Sequence, residues 1–209
     1  METVQLHLSL DQIDALREVG NIGAGHAATA LATILNKPVT MSVPHVGLET
    51  LFEFTERTDG PETESVCVYM PTEGDVIGHA AFLMDSSCAM DLCDLLLGRA
   101  SGETRVMNEL EQSVLMEIGN IITSSYLTAL CDLTELQFKS TPPSIAIDMI
   151  AAILSSLSSS LSDIECVEDT AITITMQMGL HGDEGVGFFL FVPEPDNLTL
   201  LLRSLFMEV

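Results

Sequence analysis

One stretch of this sequence occurs twice, and that duplication constrains the fold more than any other feature. Asp14-Ala-Leu-Arg-Glu-Val-Gly-Asn-Ile-Gly-Ala-Gly25 returns ninety-nine residues later as Ser113-Val-Leu-Met-Glu-Ile-Gly-Asn-Ile-Ile-Thr-Ser124. Two copies of one helical unit predict two related halves packed about a pseudo-twofold axis.

The flanking residues extend the repeat. Ser9 and Gln12 form a capping box, and the apolar pattern behind them runs to Asn36-Lys37-Pro38, which predicts a helix from Leu10 to Leu35. Val39, Met41 and Val43 then alternate with polar residues as a strand expected to end at Pro44. Strands are expected at Val66 to Met70 and Ile77 to Met84 around the turn Pro71 to Asp75, followed by a helix capped at Asp85 or Ser86 and stopped by Gly98. In the second half, Asn108 and Glu111 open a helix to about Leu133, and a strand near Phe138 stops at Pro142-Pro143. Strands at Ile172 to Met178 and Phe188 to Val192 and a helix from Pro195 to Met207 follow. There the offset has grown to about 107, which predicts an insertion around Ile145 to Ser162 whose serine-rich end, Ser155 to Ser162, reads as a solvated linker. The expected fold is α/β (α+β): one domain over residues 1–209, built from repeats of about 9–100 and 108–209. Two long helices flank a mixed or antiparallel sheet of about six strands.

Charge narrows the partners. Against 31 acidic residues stand 7 basic ones, a formal charge of -24, so nucleic acid and anionic membranes are excluded as partners. The acids are spread along the chain, as on a solvated surface or one adapted to high salt, where screening weakens self-repulsion. The cysteines, at 67, 88, 93, 131 and 166, contain no C-x-x-C and sit in apolar contexts, as free thiols of a reducing cytosol do. No signal-peptide pattern opens the chain, and the longest uncharged windows carry polar residues and glycines unsuited to a bilayer, so the expectation is a soluble, cytoplasmic protein.

At 100° per residue, Asp14, Glu18, Asn21 and Gly25 fall within about 60° of arc, with Leu16, Val19, Ala27, Ala30 and Ile34 opposite. Ser113, Glu117, Asn120 and Ser124 repeat that face, with Leu115, Ile118, Ile122, Ala129 and Leu133 behind. Each helix is thus expected to show Glu, Asn and a very small residue outward. Asparagine is a mediocre helix former, so its presence at mid-helix in both copies points to a role other than propensity. The segment Gly23-Ala-Gly25-His-Ala-Ala28 looks like a dinucleotide-binding turn, but that turn follows a strand, and here a helix precedes it; the copy holds Ile122, Ser124 and Leu127 at those places. A nucleotide-dependent enzyme is therefore set aside.

The pattern Asp/Ser-x-x-x-Glu-x-x-Asn, with a proline twenty-three residues beyond the Asn, resembles the signature of the CheC/CheX/FliY family of chemotaxis response-regulator phosphatases, and two copies in about 200 residues match its CheC-type members. The matching residues are Asp14, Glu18, Asn21 and Pro44, then Ser113, Glu117, Asn120 and Pro143. The resemblance implies hydrolysis of the aspartyl phosphate of a phosphorylated CheY-type response regulator. Asn21 and Asn120 would position the attacking water, and Glu18 and Glu117 would pair with the regulator's lysine. The regulator brings Mg²⁺, so the chain needs no cofactor or metal of its own. Gly25 and Ser124 would keep the approach open. The segment Pro142 to Ile153 resembles the helix by which such proteins dock the receptor deamidase CheD; read from its residues it is an apolar helix with one acid, Asp148. A non-catalytic adaptor of the same fold, binding CheD or a regulator, is the alternative. His7, His26, His45, His79 and His181 have no metal-ligand spacing, and Ser86 and Ser87 lack partners for nucleophilic chemistry.

Overall fold

The computed structural model describes residues 8–161, 170–180 and 183–205; His7, Cys166, His181 and the expected helix end at Met207 lie outside them. Helix α1 (Leu10–Leu35) is capped by the predicted Ser9–Gln12 box and closes on Asn36 in the left-handed region (φ 49°). Strand β1 (Thr40–Thr50) leads into helix α2 (Leu51–Arg57), then strands β2 (Glu64–Gly74) and β3 (Gly78–Asp85) and helix α3 (Ser86–Leu96). Helix α4 (Glu109–Thr134), strands β4 (Phe138–Ser140) and β5 (Ser144–Met149), helix α5 (Ile150–Leu161), strands β6 (Thr170–Leu180) and β7 (Asp183–Pro193) and helix α6 (Pro195–Leu205) complete it.

Four expectations are corrected. Pro44 does not end β1: the strand lies at the sheet edge and its register with β6 shifts between Ser42 and His45, so a residue without an N–H is absorbed in an irregularity. The β2 turn lies beyond Gly74, not at Pro71, because Pro71 and Thr72 still pair with His79 and Gly78. The segment before Asp148 is a strand, since Ser144 to Asp148 alternates exposed and half-buried residues. The serine run is helical: Ile153, Leu154 and Leu157 are buried, and Ser156 and Ser159 hydroxyls donate to the carbonyls of Ala152 and Ser155. Helix α2, unseen in the sequence, is the first-half counterpart of α5, so the length difference between the halves lies beyond the first two turns of α5 rather than at Ile145.

The sheet is antiparallel in every pairing, with seven strands in the order β1-β6-β7-β3-β2, β2 then pairing with both β4 and β5. Strand β1 is matched in the second half by β4 and β5 together, and the pairing crosses between the halves, β1 with β6 and both β4 and β5 with β2. The halves are therefore interlocked rather than stacked.

Neighbouring residues of the central strands face different layers. Phe82 and Met84 join the core beneath α1, α4 and α3, while Ala81 and Leu83 join the core beneath α2 and α5. The first layer is tight: Tyr126 of α4 is fully buried, stacks on Phe189 (ring centroids 4.9 Å), and fills the space above Gly23 of α1, where an added Cβ would come within 2.6 Å of the ring. Gly23 thus works in helix packing, not in a phosphate-binding loop.

Candidate functional site

The apolar stripe of α1 (Leu16, Val19, Gly20, Gly23, Ala24, Ala27, Leu31) is buried against the sheet and α4, which turns Asp14, Glu18, Asn21 and Gly25 to solvent. In α4 the stripe Leu115, Ile118, Gly119, Ile122, Tyr126 and Ala129 is buried in the same way; Ser113 and Glu117 are exposed, and Asn120 and Ser124 half-buried. Ile34 (56 % exposed) and Leu133 (40 %) do not reach the core, because each lies in the last turn of its helix, beyond the sheet.

Glycines one residue before each asparagine set the height of the helices. A Cβ at Gly20 would stand 3.0 Å from Val43, the residue before Pro44; one at Gly119 would overlap the Val68 side chain. The signature proline therefore helps place the edge strand under Gly20 in the first half, while in the second half Pro142-Pro143 separates β4 from β5 and the floor under Gly119 is β2.

The asparagine carboxamides differ in setting. Glu18, Asn21 and Glu117 form no side-chain hydrogen bond or ion pair among the described residues, and a Cβ at Gly25 would meet nothing within 4 Å. Ser124 Oγ donates to Asn120 Oδ1 at 3.4 Å, a long bond that orients the amide without closing it off. Arg17 pairs with Asp14 at 2.6 Å, with both side chains exposed, so the first acidic face holds a cation where the second has Met116. That pair, three residues apart on one helix face, could have been read from the sequence. No group of three His, Cys, Asp or Glu side chains able to hold a metal comes together among the described residues. Asp148 stands apart from both faces, exposed near the end of β5, where its Oδ1 accepts from the Met149 N–H at 2.7 Å.

What the arrangement can do follows from its chemistry. An exposed carboxamide on a rigid helix can accept a hydrogen bond from a water and donate to a second group at once, and a carboxylate one turn earlier can meet a cation. Neither is activated as a base or nucleophile by a neighbour. Such a face suits a partner that brings its own reactive group.

Comparison with known proteins agrees with the duplication. The model of the CheC-like family matches residues 12–48 and 110–147, one segment in each half. The CheY-P phosphatase CheC of Bacillus subtilis (strain 168) is 37 % identical over 199 residues, covering 93 % of this chain and 94 % of CheC. Among solved structures, FliY of Thermotoga maritima superposes with a TM-score of 0.74 at 21 % identity, covering 96 % of this chain and 98 % of that one. A chain of the FliG–FliM complex from H. pylori does so at 0.67 and 15 % identity, covering 94 % and 100 %. The two structural likenesses speak to the fold.

Proposed function

This chain belongs to the CheC-like family, and from that premise we propose that it is a phosphatase hydrolysing the aspartyl phosphate of a phosphorylated CheY-type response regulator in the cytoplasm. The observation that carries this reading is the repeated outward face: Glu18 with Asn21, and Glu117 with Asn120, each on a helix held level by a glycine beneath and cleared by a small residue above. The regulator would supply Mg²⁺ and a lysine. Asn21 or Asn120 enters its site, accepts a hydrogen bond from water through the amide oxygen, and holds that water in line with the scissile P–O bond. Glu18 or Glu117 pairs with the lysine ammonium and fixes the depth of entry. Hydrolysis returns the regulator's carboxylate and inorganic phosphate. Positioning of this kind is worth several powers of ten when the geometry is rigid.

The decisive measurement is decay of a phosphorylated cognate regulator. Asn21→Ala and Asn120→Ala should each remove part of the acceleration, and the double variant should fall to the regulator's own rate. A double variant as fast as the unaltered chain defeats the phosphatase reading. The reading extends to docking of the deamidase CheD at the β5–α5 segment, with Asp148 as a contact, on the resemblance of Pro142 to Ile153 to a CheD-docking segment. An adaptor of the same fold that binds a regulator or CheD without hydrolysis is the second reading.

A further inference from the structure

The two ends of the sheet are equivalent places filled differently. At the β1 end, Glu49 is locked by Arg57: Nη2 donates to Oε1 at 2.7 Å and Nε to Oε2 at 3.2 Å. The remaining Nη1 donates to Thr175 Oγ1 at 3.0 Å, and the Thr173 hydroxyl also donates to Glu49. The guanidinium carbon lies 5.3 and 5.8 Å from the ring centroids of Phe54 and Phe188. The strand registers carry each of these residues to the β5 end. His45 and Gly47 face Thr175 and Thr173 across β1–β6, as Ser144 and Ala146 face Tyr69 and Cys67 across β5–β2. Helices α2 and α5 bury the same first, fourth and fifth residues. Asp148 therefore takes the place of Glu49, Ser156 that of Arg57, Ile153 that of Phe54, and Ala81 that of Phe188.

With the arginine and the second ring gone, a cleft of about 200 Å³ remains at the β5 end, lined by Cys67, Tyr69, Asp148, Ile153, Ser156 and Leu157 among others. Its acid makes no ion pair among the described residues and accepts only from its neighbour's N–H. The volume is below the roughly 300 Å³ at which small-molecule sites begin, and suits one long side chain. The Cys67 thiol in its floor is pushed up to about 12 by burial and stays neutral, so nothing there competes for charge.

We propose that this cleft receives the arginine side chain of a protein partner, whose guanidinium meets Asp148 as Arg57 meets Glu49. Arginine fits better than lysine because its planar fork engages both carboxylate oxygens while Ile153 and Leu157 cover its methylenes. The chain's charge of -24 steers a basic surface toward the cleft. The inference deepens the docking part of the proposed function by stating what the partner must present.

Amide chemical shifts of the whole chain, titrated with N-acetylarginine methylamide and separately with the leucine analogue, test it. The arginine compound should move the amides of Tyr69, Ala146, Asp148 and Ser156, and Asp148→Asn should weaken it about tenfold, as for loss of a charged hydrogen-bond pair. Ser156→Arg, which restores the side chain of the β1 end, should abolish the response and raise the melting temperature, a gain lost when Asp148→Asn is added. Equal or tighter binding of the leucine analogue, or binding indifferent to Asp148→Asn, overturns the proposal. Calorimetry with the cognate CheD separates the readings. If Asp148→Asn destroys CheD binding while the arginine compound never binds, docking stands and the arginine assignment falls. If the compound behaves as expected and CheD binding is unchanged, the cleft stands and its partner is another protein.

Discussion

Asn21 is followed one turn later by Gly25, and Asn120 by Ser124. The first asparagine is exposed and unengaged beside an Arg17–Asp14 pair; the second is half-buried and receives the Ser124 hydroxyl on the oxygen that would hold water. The same Glu-Asn pair thus stands once on an open face beside an ion pair and once on a face that lacks both the cation and its aspartate, with its amide already turned. The difference shows what duplication leaves free. Gly20 and Gly119 let each helix lie close on the strand beneath it, whereas the exposed residues around each asparagine can change without touching the core.

The sharpest test of that contrast lies under the sites. Alanine at Gly119 would place a methyl within 2.6 Å of both Val68 γ-carbons, a β-branched side chain with little freedom to turn aside. Overpacking of this kind should cost about 1–3 kcal/mol. Alanine at Gly20 meets Val43 at 3.0 Å on an edge strand already irregular at that point, and the gain of about 1 kcal/mol in helix propensity should offset most of the contact. Urea unfolding of the two variants should show a clear loss for Gly119→Ala and little change for Gly20→Ala. Equal losses would mean that the two floors are equally rigid.

Gly25 and Ser124 sharpen the comparison in the other direction. With nothing within 4 Å of its would-be Cβ, Gly25→Ala should stabilise the fold by up to about 1 kcal/mol and yet slow the first site, since the methyl stands on the approach. Regulator dephosphorylation in an Asn120→Ala background reads that site alone. Ser124→Ala, read in an Asn21→Ala background, removes one long hydrogen bond and should change the rate by less than about tenfold. A Gly25→Ala variant that gains stability and keeps its full rate would show that the partner never comes close to this turn.

The long helices and both Glu-Asn faces were legible in the sequence because they rest on local rules: a capping box, a proline stop, and a 3.6-residue apolar period long enough to override noise. What failed depends on distant partners. Pro44 reads as a strand end, and only its place at the edge beside β6, some 130 residues away in sequence, lets the strand continue. Asp148 reads as part of a helix because Ile145, Ile147, Ile150 and Ile153 suit either period in so short a run, and β2 decides between them by offering a pairing edge. The serine run reads as linker by composition, yet three buried aliphatic residues and hydroxyls bonded to their own backbone hold it as helix. Interlocking of β1 with β6 and of β5 with β2 left no trace in either half taken alone. The cleft beside Asp148 was equally hidden, since it exists only as the absence of Arg57's counterpart.

The smallest expected effect separates the two helix starts. Gln12 closes the box of α1 with an uncharged amide at the surface, whereas its counterpart Glu111 is buried beside Arg99, whose Nη1 donates to Oε1 at 2.6 Å. The guanidinium, helped by backbone N–H groups, holds the Glu111 carboxyl below the usual glutamate range. Next to it, burial pushes Asp94 upward, but the hydroxyl and N–H of Thr104 and the N–H of Glu103 outweigh burial and leave it lowered. A carboxylate whose folded pKa is depressed adds stability above its unfolded pKa and loses it as pH falls through the folded value. Acid should therefore loosen α4 from its first turn while leaving α1 unaffected through the same window, which opens below about pH 4.3, the ordinary glutamate value. Amide hydrogen exchange, corrected for intrinsic rates, should show falling protection around residues 109–115 and steady protection around residues 10–16. Glu111→Gln should flatten the acid response of α4, because a neutral amide can still accept from the Asn108 N–H as Gln12 does from that of Ser9. Parallel loss at both starts would show that acid acts on the whole interlocked sheet rather than on this one buried pair.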